Sequence, residues 1–189
     1  QAFYPHSLGQ FYTSLTQYLG FIGGRHEGKV TGLAAYGKAS DDLIKKINKT
    51  LIDSQELKLN KKYYSEGFVR NINFKKLFKS KKFNIFHQGF GQSDALFEYR
   101  NFKPPLKKIL KNHSKEDLAN AYQKITEDKL FKIILNNYKK DFSHLRLAGG
   151  VMANVKINHV LSKKLSSKSV FIFPNMGDGG LSVGAAFAI

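Results

Sequence analysis

Apolar residues recur with helical spacing in the first part of the chain. Between positions 7 and 21 they stand at 8, 11, 12, 15, 18, 19 and 21, which predicts a helix capped by Ser7. Small residues dominate from position 29 to Gly37, a glycine typical of a helix end. The Ser-Asp-Asp sequence at 40–42 predicts a further helix that runs to about Ile52.

The last part of the chain alternates helical and extended patterns. A capping box begins at Ser114, and apolar residues from 118 to 138 then mark a long helix. Extended runs follow at His144–Ala148 and Ser169–Phe173, with a helical pattern over Asn154–Leu165 between them and a helix of small residues after Gly180. This order predicts an α/β protein in which at least two strands are neighbours.

The middle of the chain, from about 55 to 112, has a different character. It is rich in Lys, Asn and Phe, with short β-like pieces at Leu57–Leu59 and Gly67–Ile72. Pro104-Pro105 interrupts the chain before the next helix. We interpret this stretch as an insertion-like lobe on the surface of the fold.

Composition narrows the class of protein. With 189 residues and 42% hydrophobic content, the chain can bury the core of one domain. It contains no cysteine, no apolar run long enough to span a membrane and no signal-peptide pattern at its start. We therefore expect a cytoplasmic protein without a membrane partner.

The net charge of +17 makes a basic nucleic-acid-binding module an alternative hypothesis. Only four of the 31 basic residues are Arg, the side chain that phosphate and base readers favour, and the lysines are scattered. We interpret them mainly as solvated surface residues and do not expect a nucleic-acid partner.

Two glycine turns carry the candidate chemistry. Leu147-Ala148-Gly149-Gly150-Val151-Met152-Ala153-Asn154 and Asn175-Met176-Gly177-Asp178-Gly179-Gly180 each have the form strand, glycine turn, helix. Backbone N–H groups at a helix start can bind phosphate oxygens, and a carboxylate is a hard ligand for a cation. The pair therefore indicates a site for a nucleotide with a metal ion.

These turns belong to a longer likeness. Four stretches carry it: His6-Ser7-Leu8-Gly9-Gln10-Phe11-Tyr12 with Tyr18-Leu19-Gly20-Phe21; Gly28-Lys29-Val30-Thr31-Gly32-Leu33-Ala34-Ala35-Tyr36-Gly37; Asp117-Leu118-Ala119 with its long helix; and the two glycine turns. In this order they resemble the O-carbamoyltransferases of the nodulation-factor and antibiotic-tailoring type. The likeness covers almost the whole chain and is weakest in the middle lobe.

The resemblance implies an actin-like and sugar-kinase ATPase fold of the ribonuclease H-like class, with helices packed on a mixed sheet. In the full-length protein, it implies a C-terminal threonylcarbamoyl-AMP-synthase-like domain that makes carbamoyl adenylate from ATP and carbamoyl phosphate. The N-terminal ATPase-like domain would pass the carbamoyl group to a hydroxyl of a small molecule or glycan. It would also hold a divalent metal, iron or magnesium, with upstream histidines and a later Asp.

Carried onto this chain, the resemblance assigns Asp178 to the metal and Gly149, Gly150, Asn154 and Gly177 to the nucleotide. Simpler roles stay open, since the glycine pair and Asp178 would also suit ordinary turns and Asn154 could cap the following helix.

The stretch Gly28–Gly37 carries the second most specific motif. Lys29 could neutralise phosphate oxygens or could be a solvated lysine. Gly28 and Gly32 could allow close approach of adenosine or close helix packing. We interpret His6 as a structural or surface histidine rather than a general base.

The chain also departs from the family pattern. None of its six histidines forms an HxxxH pair, and the first phosphate-binding hairpin of the ATPase fold is missing. We therefore expect an internal fragment that carries one wall of the nucleotide site and is inactive alone. Another actin-like ATPase, either a kinase or the relative that transfers threonylcarbamoyl to tRNA, remains an alternative.

Overall fold

A computed structural model of the chain describes residues 6–52, 58–64, 70–72, 97–99, 102–137, 142–177 and 180–187. Its first three helices are α1 (Leu8–Tyr18), α2 (Glu27–Ala34) and α3 (Asp41–Asn48). The predicted cap of α1 is confirmed, because Ser7 Oγ accepts a hydrogen bond from the Gln10 amide at 3.0 Å. Ser40 caps α3 in the same way.

The predicted extension of the third helix to Ile52 is wrong. Residues Leu51–Ile52 form strand β1, which pairs antiparallel with β2 (Lys58–Leu59). Leu51 and Leu59 stand opposite each other and are both buried. Cross-strand pairing of these two side chains therefore outweighs the helical pattern that precedes them.

Two helices follow the middle of the chain. α4 (Pro104–Leu110) begins with a proline, whose missing N–H would be unpaired in a first turn anyway. The long helix α5 (Lys115–Asn137) begins where the sequence predicts, and Ser114 Oγ accepts from the Asp117 amide at 3.0 Å.

The C-terminal part contains a strand–helix–strand unit. β5 (His144–Leu147) leads through a 3₁₀ helix (Gly150–Ala153) into α6 (Val155–Lys164), and β6 (Ser169–Ile172) returns parallel to β5. The helix α7 (Gly180–Phe187) follows. The predicted pair of neighbouring strands is confirmed, and so is the α/β class.

The structure describes only parts of the middle stretch. Strands β3 (Arg70–Ile72) and β4 (Phe97–Tyr99) pair antiparallel, and most residues between them lie outside the described ranges. The flanks of the stretch are buried in the main core, as Tyr64, Phe102 and Leu106 show. The extent of an insertion-like lobe over 55–112 stays a prediction.

Helix α5 lies at the centre of the core. The Phe11 ring of α1 stacks on Tyr122 of α5 with ring centroids 4.4 Å apart. Tyr64 and Phe102 pack edge to face beside them. Aromatic rings bury large apolar areas, so this cluster holds α1 and the flanks of the middle stretch against α5.

A second, smaller group of buried side chains lies in the C-terminal unit. Its members are Leu147 of β5, Ile157 and Leu161 of α6, and Leu165 after α6. They are not part of the continuous core cluster around α5. Among the described residues the strands form three separate pairs, and the actin-like arrangement of one mixed sheet stays a prediction.

None of the helices in the described ranges combines the length and the apolar character that a membrane crossing requires.

Candidate nucleotide site at the glycine turn

The glycine turn follows the carboxyl end of β5. Gly149 has a φ of +96°, a region that residues with a side chain rarely adopt. Gly149 and Gly150 are exposed, and a Cβ added at either would meet no atom within 4 Å among the described residues. The backbone of this turn is therefore open to approach from solvent.

Asn154 ends the turn and begins α6. Its Oδ1 accepts a hydrogen bond from the Ile157 amide at 3.1 Å, which confirms the helix-capping role. Its Nδ2 donates to Gln123 Oε1 at 2.8 Å and to Thr31 Oγ1 at 3.1 Å. The same side chain therefore caps α6 and joins it to α5 and α2.

These bonds belong to a partly buried polar network that also contains Tyr12 and Gln123, two residues that the sequence patterns did not single out as site residues. Tyr12 OH donates to Gln123 Oε1 at 2.8 Å and lies 3.1 Å from Thr31 Oγ1. The network therefore joins α1, α2, α5 and α6. One signal was available: Gln123 lies four residues after the buried Ala119, at one edge of the apolar stripe of the long helix.

The pKa of Tyr12 is raised from 10.0 to about 12, above all because burial disfavours the phenolate. The charges of Glu127 and Glu27 act in the same direction, while Thr31 and Asn154 oppose it. Tyr12 therefore stays a neutral hydrogen-bond donor in the network at all ordinary pH values.

The Gly28–Gly37 motif lies on α2 and the turn that follows it. Gly28, Lys29 and Gly32 are exposed, and Thr31 between them contacts Asn154. A Cβ at Gly28 or Gly32 would meet nothing within 4 Å in the described part of the chain. Close packing against another described element does not account for these two glycines.

Lys29 lies beside two side chains of the preceding turn. Its Nζ is 3.4 Å from His26 Nε2 and 6.0 Å from the centroid of the Phe21 ring. The side chain is nevertheless exposed, so its ammonium group remains open to an anion.

The second glycine turn follows β6. Because β5 and β6 are parallel, their carboxyl ends lie at the same edge of the pair, and the chain continues from there towards each glycine-rich segment. Gly177 is exposed, whereas Asp178 and Gly179 lie outside the described residues. No group of three or more His, Cys, Asp or Glu side chains suited to a metal occurs within the described ranges. The metal role of Asp178 stays a prediction.

His6 has a structural partner. Its Nδ1 accepts a hydrogen bond from the Leu59 amide at 3.1 Å and so joins the start of α1 to β2. This contact agrees with a structural histidine.

The described residues define an α/β protein in which two parallel strands end at one edge and an exposed glycine turn follows the first of them. A family model described as "Carbamoyltransferase N-terminus" matches residues 1–187. The chain belongs to this carbamoyltransferase family.

Three uncharacterised proteins are similar over nearly the whole chain. Two come from Methanocaldococcus jannaschii: one is 31% identical over 180 residues, covering 95% of this chain and 25% of the relative. The other is 34% identical over 184 residues, covering 96% and 30%. The third, from Synechocystis, is 30% identical over 191 residues, covering 98% and 28%. The chain thus spans between a quarter and a third of the length of the curated relatives it matches.

Proposed function

We propose that this chain is part of the transfer domain of a carbamoyltransferase that uses ATP and carbamoyl phosphate. The full-length protein forms carbamoyl adenylate and transfers its carbamoyl group to an acceptor hydroxyl. The family match over residues 1–187 carries this proposal. A threonylcarbamoyl-AMP-synthase-like domain elsewhere in the same protein is the proposed source of the adenylate.

The transfer step is an acyl substitution. The acceptor oxygen forms a bond to the carbamoyl carbon, the bond from that carbon to the AMP phosphate oxygen breaks, and AMP leaves. The hydroxyl proton passes to a base that we do not assign. Catalysis here requires positioning of the adenylate and stabilisation of negative charge.

Three features of the chain support a nucleotide-binding role. The Gly149-Gly150 backbone is exposed after a strand and before helix α6. N–H groups in such a place are suited to phosphate oxygens. Lys29 is an exposed cation on α2. The same helix is linked to the turn by the hydrogen bond between Thr31 and Asn154. Gly28, Gly32 and Gly177 are exposed places where adenosine or phosphate can come close to backbone.

A divalent metal, iron or magnesium, belongs to the same proposal. Asp178 would contribute one carboxylate, and the remaining ligands would come from histidines upstream of this chain. When bound, the metal would supply positive charge for phosphate or carbonyl oxygens. The described residues alone contain no group of three or more His, Cys, Asp or Glu side chains suited to a metal.

The first experiment uses the full-length protein with ATP, carbamoyl phosphate as the sole carbamoyl donor and a panel of hydroxyl acceptors. We expect AMP release and a product that carries a carbamoyl group. Phosphorylation of an acceptor or modification of tRNA would instead favour the kinase or threonylcarbamoyl-transferring alternative. The absence of any carbamoyl product with every acceptor class would contradict the proposal.

Variants test the site assignments. Lys29→Gln should weaken ATP binding, whereas Lys45→Gln, which removes an exposed lysine of α3, should not.

Asp178→Ala should lower metal content and carbamoyl transfer together. Unchanged metal content in Asp178→Ala would show that the metal assignment is wrong.

A further inference from the structure

The side chains of Gln123 and Asn154 satisfy each other's hydrogen bonds. Gln123 Oε1 accepts from Tyr12 OH and Asn154 Nδ2, both at 2.8 Å. Gln123 Nε2 donates to Glu127 Oε1 at 2.9 Å and to Asn154 Oδ1 at 3.3 Å. Every polar atom of the Gln123 amide therefore has two partners, which fixes which way the amide points.

Gln123 carries a primary amide on the central helix and is only 4% exposed. Burial of a primary amide is costly unless all its hydrogen bonds are made. An apolar side chain could fill the same space without that cost. Besides filling space in the core, the network therefore fixes how the elements it joins are oriented relative to one another.

The element whose orientation depends most on this network is the glycine turn. Leu147, Ile157 and Leu161 lie outside the continuous apolar core, although α6 itself packs against α5. Val151 packs against that core, and Asn154 is bonded to Gln123 and Thr31. These two residues join the turn to the helices.

We propose that Gln123 is a positioning residue of the nucleotide site. Through Asn154 it fixes the position of the Gly149–Asn154 turn relative to α2. The turn and α2 can then present their glycine backbones to the same ligand. Gln123 does not touch the ligand. The inference rests on the nucleotide-binding role proposed above.

The test uses the full-length protein and two variants of α5. Gln123→Glu keeps the shape but places an oxygen opposite Asn154 Oδ1 and Glu127 Oε1, both of which are acceptors. Thr126→Val is the matched control, because Thr126 is 1% exposed and its hydroxyl donates only within the helix, to the Tyr122 carbonyl at 2.7 Å. Gln123→Met replaces Gln123→Glu if the added carboxylate prevents folding.

Titration calorimetry measures the binding of a non-hydrolysable ATP analogue. Because the proposed adenylate-forming domain also binds ATP, amide exchange over residues 149–157, with and without the analogue, assigns the affinity of the site on this chain. We expect Gln123→Glu to weaken binding roughly tenfold or more and to speed exchange in the turn. Thr126→Val should lower the melting temperature while leaving affinity and turn exchange unchanged.

The outcomes separate the two proposals. If the wild-type protein binds the analogue and Gln123→Glu binds it equally well, the positioning role is wrong and the nucleotide site stands. If both variants lose affinity alike, the effect is general destabilisation and the positioning role is again wrong. If the wild-type protein binds no nucleotide, the proposed function fails, and the positioning role fails with it.

Discussion

At the residue scale, Gly37 shows how one position depends on a distant part of the chain. The helix before it ends at Ala34, and Gly37 does not have the positive φ of a helix-ending glycine. Instead, a Cβ at this position would overlap the Glu116 carbonyl group at the start of α5. The predicted helix-ending role is therefore wrong, and close approach of two backbones is the reason for glycine.

Side chains of α5 hold this contact in place. The Lys38 amide donates to Asp117 Oδ1 at 2.8 Å, and the Ala39 amide donates to Asn120 Oδ1 at 3.2 Å. Asn120 Nδ2 in turn donates to the Ala34 carbonyl at 2.9 Å, at the end of α2. The loop that contains Gly37 cannot move away from α5 without breaking these bonds.

We therefore expect Gly37→Ala to destabilise the protein by about 1–3 kcal/mol through overpacking. Gly32→Ala is the control: this position is exposed and lies in α2 with no described atom near its added Cβ, so it should gain about 0.5–1 kcal/mol of helix stability. Urea unfolding measures both. Equal stability of the two variants would contradict the close approach at Gly37.

At the element scale, the network of Tyr12, Thr31, Gln123 and Asn154 joins four helices. Tyr12 on α1 and Gln123 on α5 are 111 positions apart in the chain. The network also lies where α2 meets the glycine turn. A substitution of Tyr12 should therefore weaken the contacts of α1 with α2 and α5, and not only the stability of α1 itself.

The stability of the protein at alkaline pH tests the place of Tyr12 in this network. The pKa of Tyr12 rises from 10.0 to about 12 on folding, so the unfolded chain loses the phenolic proton first as pH increases. The stability that the neutral phenol contributes is complete below pH 10. It falls between pH 10 and about 12, by roughly 1.4 kcal/mol per pH unit.

In urea unfolding between pH 9 and 11.5, the free energy of unfolding of Tyr12→Phe should therefore fall less steeply with pH than that of the wild type. At neutral pH the substitution should cost about 1 kcal/mol, because Gln123 and Thr31 lose a partner. Tyr64, whose pKa burial also raises to about 12, remains in both proteins and serves as an internal reference. Identical slopes for the variant and the wild type would show that Tyr12 is not buried as described.

At the scale of the whole molecule, two C-terminal elements carry large apolar side chains that the described residues leave exposed. Phe171 of β6 is 57% exposed and Phe187 of α7 is 85% exposed. Parallel strands are normally covered on both faces, and a helix that is apolar all round is normally buried. The three matched relatives are several times longer than this chain, and in the full-length protein proposed above we expect further parts of the protein to cover these elements.

The 189-residue chain by itself should therefore bind a hydrophobic dye and self-associate in size-exclusion chromatography. The double variant Phe171→Lys and Phe187→Lys should reduce both effects. Ile22→Lys, which changes an exposed apolar residue before α2, should reduce them much less. A monodisperse chain that binds no dye would contradict the inference.

The sequence alone determined the types of most described elements, the Ser7, Ser40 and Ser114 caps, the neighbouring strands and the family. These features depend on periodicity and on hydrogen bonds between residues close in the chain, which a linear pattern records. Only the tertiary structure decided why position 37 is glycine, that Leu51–Ile52 is a strand, and that Gln123 holds Asn154. Each of these depends on contacts between distant segments, whose steric fit and polar pairing appear only once the helices have packed.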